Sequence, residues 1–113
     1  MNDKPHLDEE ALAELKDVME DEFDLLIQTY LNDSRSRIET LRQALADNEP
    51  DLFARAAHSF KGSSINIGAP RLGDICVEAE QVGKAGALEQ GPAVLARIEA
   101  EFREVQARLR SLS

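Results

Sequence analysis

The chain has 113 residues, a net charge of −9 and a pI of about 4.6, with one cysteine and no tryptophan. That length fits a single domain, and the acidic balance excludes the basic footprint that nucleic acid or an anionic membrane surface demands. A lone thiol, Cys76, excludes an internal disulfide.

No apolar run approaches the length of a transmembrane helix. The stretch from Met1 to His6 lacks the hydrophobic core of a signal peptide, so the expected compartment is the cytoplasm. Residues 1–7 read as a flexible tail and residues 8–113 as one helical domain. Asp8 can cap a first helix, with Glu9 and Glu10 suiting its positive end. Leu12, Leu15 and Val18-Met19 give this helix an apolar edge, and it is expected to end near Asp17. A long helix follows from about Glu20 to Ala46, with Phe23, Leu26, Ile27, Tyr30, Leu31, Ile38, Leu41 and Leu45 at three-four spacing. Ser34 is a small residue in that seam. Asp47 to Pro50 ends it, and Asn48 is the expected cap of the next helix. Gly68-Ala69-Pro70 closes the third helix, and Pro70 opens a fourth with Leu72, Ile75, Cys76, Ala79 and Val82 on one stripe. The run Gly83-Lys84-Ala85-Gly86 is expected to release the chain. Gly91-Pro92 starts a last helix, whose Leu95, Ile98, Phe102, Val105, Leu109 and Leu112 form a heptad-like seam. No strand pattern appears. Short turns between helices predict antiparallel neighbours. The expected fold class is therefore all-α: an antiparallel four-helix bundle with a short additional N-terminal helix.

The third helix carries the chemistry. At about 100° per residue, Leu52, Phe53, Ala56, Phe60 and Ile67 fall opposite His58 and form a buried stripe. Beside His58 lie Asp51, Ala54, Arg55, Lys61, Gly62 and Ile65. One face thus enters a core, while the other holds an imidazole toward solvent with two cations near it. Ala54 and Gly62 are the residues one helical turn away on either side, and their small size leaves the ring open.

A His, a Lys three residues on, a Gly directly after it and a second Gly ten residues after the His stand here as His58, Lys61, Gly62 and Gly68. Ala57 precedes the His, and Ser63-Ser64 lie within the motif. This pattern resembles the signature of the histidine-containing phosphotransfer (HPt) family of bacterial phosphorelays. The resemblance implies a phosphoryl carrier rather than an enzyme with its own nucleotide site. It would accept a phosphoryl group on His58 from an aspartate of a hybrid sensor kinase's receiver domain and pass it to the receiver domain of a response regulator. It implies no cofactor on this chain, with Mg²⁺ expected on the partner receiver domain, no metal site, and a monomer that binds neither nucleic acid nor membrane.

The residue chemistry suits that role. Neutral imidazole is a nucleophile near neutral pH. Lys61 can neutralise phosphoryl oxygens as a point charge, with Arg55 and Lys84 as further cations on the rim. Gly62 and Ala54 leave room for a partner's backbone, and Ile65 offers an apolar docking contact. In many HPt domains the facing helix supplies a Gln that reaches the histidine. Glu80 stands at that position here, with Gln81 next to it, and both belong to the candidate docking face. Which of the two reaches the ring is open, as is whether Glu80 bonds the imidazole, points away or pairs with Lys84. Ser63 and Ser64 read as structural, and His6 is given no role.

Three other readings compete. The dimerisation helices of a histidine kinase want an acidic residue directly after the His and a Pro shortly beyond, where Ser59 and Lys61-Gly62 stand. A metal-carboxylate bundle wants Glu-x-x-His, and the residue three before His58 is the cation Arg55. A pure interaction protein has no need of His58, Lys61 and Gly62 together.

Overall fold

The computed structural model describes residues 4–112. Five α-helices follow in order: α1 Glu9–Met19, α2 Asp21–Ala46, α3 Pro50–Ile67, α4 Pro70–Lys84 and α5 Gly91–Leu112, with one 3-10 turn at Leu88–Gln90. No strand occurs among the described residues. Helices α2 to α5 form the expected antiparallel bundle, and α1 packs across one end.

The local chemistry sets most boundaries. Asp8 Oδ1 accepts from the Ala11 amide at 3.1 Å and caps α1. This helix runs on to Met19, past the expected end near Asp17, before the chain reverses at Glu20 with φ of 52°. Val18 lies outside the apolar edge assigned to it and is largely exposed. Asn48 is not the cap of α3: it takes φ of 55° within the turn, a conformation that Asn tolerates better than most residues. Glu49 precedes the helix instead, and Pro50 opens it where no amide donor is needed. Gly68 closes α3 at φ of 88°, with the Ala69 amide donating to the Ser64 carbonyl at 2.8 Å. The chain leaves α4 within the run Gly83 to Gly86, as expected, but not at Gly83. Helix α4 continues through it to Lys84, and Gly86 makes the turn at φ of 68°. The 3-10 turn before α5 carries no signal that the hydrophobic spacing reveals.

The core is apolar and continuous. Phe23, Phe53, Phe60, Leu41, Leu72, Ile98, Val105 and Leu109 are fully buried or nearly so. Each such side chain contributes roughly 1.5–3 kcal/mol by leaving water. Phe60 and Phe102 meet edge to face, centroids 6.4 Å apart, and tie α3 to α5.

The expected tail holds differently from residue 4 onward; residues 1–3 lie outside the described residues. Leu7 is buried, and the Asp8 amide donates to the Gly68 carbonyl at 2.8 Å. Lys4 Nζ bonds Asp74 at 3.0 Å, and Arg71 Nε donates to the Lys4 carbonyl at 2.8 Å. His6 Nδ1 sits 2.6 Å from Oε2 of buried Glu101. A buried apolar side chain and these polar contacts fasten this segment to α4 and α5. Among the described residues, no helix is long and apolar enough to cross a membrane.

Candidate functional site

His58 stands midway along α3 with its side chain 63% exposed. On the opposite side of the helix, Phe53 and Phe60 are fully buried. The helix is therefore anchored by two aromatic rings while the imidazole projects from the bundle. Beneath the exposed surface, Ser63 Oγ donates to the Phe60 carbonyl at 3.1 Å, and Ser64 Oγ meets the Tyr30 hydroxyl at 2.8 Å in the core. Both serines act within the scaffold.

Helix α4 faces the ring. Its Glu80 side chain is only 11% exposed, yet both carboxylate oxygens reach His58 Nδ1, at 3.1 and 3.2 Å. Lys84 Nζ lies 3.0 Å from Glu80 Oε2, one turn along α4, and Lys61 Nζ lies 3.7 Å from Oε1. The hydrogen bond from Lys84, above all, holds the Glu80 carboxyl below the usual carboxylate range. Burial opposes this, and the His58 contact adds to the lowering. Glu80 is thus an anion, and an ionised carboxylate only accepts hydrogen bonds. In the neutral ring the hydrogen accordingly sits on Nδ1, and the free lone pair is on Nε2.

Helix α4 reaches this position because Gly73, Glu80 and Gly83 share one of its faces. A β-carbon at Gly73 would fall 2.8 Å from Ile65 Cγ1, so the helices approach closely where α4 lacks side chains. Sequence reasoning missed this stripe, although glycines ten residues apart inside one helix were its visible signal. It also missed Arg37 of α2, whose Nε donates to Ser59 Oγ at 2.9 Å beside the active face.

The remaining candidates separate clearly. Ala54, Arg55, His58, Glu80 and Lys84 line a depression of about 290 Å³. Ala54 itself is buried under α4, so it forms the floor of that depression and not a surface contact. Arg55 is exposed, with Nε 3.4 Å from the Asp51 carbonyl. Around Gly62 a β-carbon would find nothing within 4 Å. Ile65 is 55% exposed, on the side of α3 that also carries His58. Gln81 points to solvent, and it is Glu80 that reaches the imidazole. The open alternatives for Glu80 resolve into two at once: it bonds the ring and pairs with Lys84. Among the described residues, no group of three or more His, Cys, Asp or Glu side chains could hold a metal ion.

The arrangement matches known proteins. The sequence profile of the Hpt domain matches residues 25–108. The fold is similar to the crystal structure of histidine-containing phosphotransfer protein B (HptB) from Pseudomonas aeruginosa PAO1, with a TM-score of 0.89. The two sequences are 39% identical, and the match covers 95% of this chain and 93% of that one. No curated protein sequence matches the chain. An exposed histidine on a five-helix scaffold, a family match over most of the length and a structural counterpart matched over 95% of the chain agree: the chain belongs to the Hpt domain family, the histidine phosphotransfer proteins of phosphorelays.

Proposed function

We propose that His58 Nε2 accepts a phosphoryl group from an aspartyl phosphate on the receiver domain of a hybrid sensor kinase. It then donates that group to an aspartate on the receiver domain of a response regulator. One observation carries the reading: the ring is exposed while its other nitrogen is held by a buried carboxylate. A fixed ring presents its free lone pair in one direction, and orientation of this kind lowers the barrier to attack.

Lys61 and Lys84 lie within the same cluster, and Arg55 borders it. Their positive charge would meet the phosphoryl oxygens as these cross between partners. The clear space around Gly62 suits the close approach of a receiver's backbone, and Ile65 offers it an apolar contact. Glu80 enters the docking face through its hold on the ring, and Gln81 at its rim. Donor and acceptor receivers would use this one face, so they bind in turn. The chain works as a cytoplasmic monomer with no cofactor of its own, the Mg²⁺ being held by the receiver domain. It contains no P-loop sequence through which it could take phosphate from ATP directly.

The test is phosphoryl transfer from a phosphorylated receiver domain. His58→Gln should abolish labelling while circular dichroism stays helical. Label retained by that variant would overturn the assignment.

A further inference from the structure

We infer that Arg37 selects the partner at this face: with Arg55 it forms a cationic docking site on the α2 side of His58, which takes a surface carboxylate of the receiver domain outside its phosphorylation site. The inference rests on the phosphotransfer reading above and adds a determinant on a helix that carries none of the reacting groups.

An open groove of about 530 Å³ runs between α2 and α3, with Asp33, Arg37, Leu52, Arg55 and Ser59 in its walls. Ser59 directly follows His58, and Arg55 also borders the depression beside the ring. A receiver seated over His58 thus meets this groove as well. Arg37 is half-buried and reaches across from α2, where its Nε donates to Ser59 Oγ at 2.9 Å. That bond holds the guanidinium in place and leaves its two terminal nitrogens unclaimed. Arg55 Nε lies 3.4 Å from the Asp51 carbonyl, a long and weak contact. Among the described residues no carboxylate, Asp33 included, forms an ion pair with either guanidinium.

The composition makes these two open charges informative. The chain has 22 Asp and Glu residues against 13 Lys and Arg, so carboxylates are in excess. Arg42, Arg97 and Arg108 each pair with one. Lys61 and Lys84 share Glu80, so on the α4 side of His58 the cations are already engaged with an anion. On the α2 side the charge of Arg37 and Arg55 is met by nothing within the chain.

Electrostatics then indicates what they meet. This protein is acidic overall, and the receiver brings a phosphorylated carboxylate. Two anionic surfaces repel on approach unless cations face the partner. An open groove does not enclose a small anion, whereas a protein surface laid over it excludes water and strengthens the same charges. A guanidinium matches a carboxylate through two parallel N–H donors, and one already held by Ser59 loses less freedom on binding. The carboxylate must lie beyond the phosphorylated aspartate, because that aspartate faces His58.

Transfer from a phosphorylated receiver, followed at limiting and at saturating concentrations of this protein, tests the inference. Arg37→Gln should lower the limiting rate by roughly tenfold and leave the rate within the saturated complex unchanged. It should also flatten the salt dependence of the limiting rate. Arg37→Lys, which keeps the charge without the fork, should restore the salt dependence but only part of the rate. Arg55→Gln should lower the limiting rate too. The receiver's exposed Asp and Glu residues are then changed singly to Asn or Gln. One such change should slow transfer to the unaltered protein and add nothing in Arg37→Gln. An unchanged limiting rate in Arg37→Gln, a fall in its saturated rate, or losses that add for every receiver carboxylate would each overturn the inference. Labelling that survives in His58→Gln would instead refute the phosphotransfer assignment itself, so the two failures are distinct.

Discussion

Gly83 and Ala54 meet backbone to backbone. A β-carbon built on Gly83 would lie 2.7 Å from the Ala54 nitrogen and 2.8 Å from both the Ala54 β-carbon and the Pro50 carbonyl oxygen. Backbone cannot swing aside as a side-chain tip can, so a methyl group there must push α4 off α3. Overpacking typically costs about 1–3 kcal/mol, and the better helix propensity of Ala returns about 1 kcal/mol. Gly83→Ala should therefore lose up to about 2 kcal/mol in urea denaturation. It should also slow phosphoryl acceptance, because the displaced helix carries Glu80 away from His58.

Gly62 is the opposite case. With nothing within 4 Å of a β-carbon, Gly62→Ala meets no resistance inside the protein. It should gain about 1 kcal/mol from helix propensity, visible as a higher melting temperature. The same methyl stands one turn from His58, where a receiver must approach, so transfer should slow. A variant that is both more stable and equally fast would remove Gly62 from the docking surface.

His6 should matter to stability, although it lies far from His58 in sequence. Its ring meets buried Glu101 at 2.6 Å. Removing one partner of a buried polar pair costs about 1–3 kcal/mol. His6→Ala should lower the urea midpoint accordingly and leave the phosphotransfer rate unchanged.

The chain has one tyrosine, so its titration can be followed alone by phenolate absorbance. Burial pushes the Tyr30 phenol up from 10.0 to about 12, with the Ser64 hydrogen bond partly opposing the rise. The folded protein thus favours the neutral phenol. The unfolded chain loses its proton first, so this contribution to stability is complete below pH 10 and disappears as pH rises toward 12. Native Tyr30 should ionise with a midpoint about two units above an unfolded control. The melting temperature should fall across the same interval.

Hydrophobic spacing exposed the bundle well, because each main helix buries one stripe and the turns between them are marked by Gly or Pro. The face of α3 was equally legible: Phe53 and Phe60 inward and His58 outward follow from angular position alone. The end of α4 was legible in the run Gly83 to Gly86, but the separate roles of its two glycines were not, for a physical reason. A glycine that ends a helix and a glycine that admits a neighbouring backbone look alike until the neighbour is known. Residues 4–7 were misjudged similarly, since the binding sites for Leu7 and His6 are made by elements distant in sequence. The link from Glu80 to His58 could be narrowed to Glu80 or Gln81 but not decided, because one residue of register rotates α4 by about 100°.

The hold of Glu80 on Nδ1 has a consequence for the chemical identity of the product. Phosphohistidine exists as two regioisomers, one on each ring nitrogen. In this ring only the nitrogen remote from the β-carbon is unoccupied. Isomer-selective antibodies raised against that single form should recognise the charged carrier, and those against the other should not.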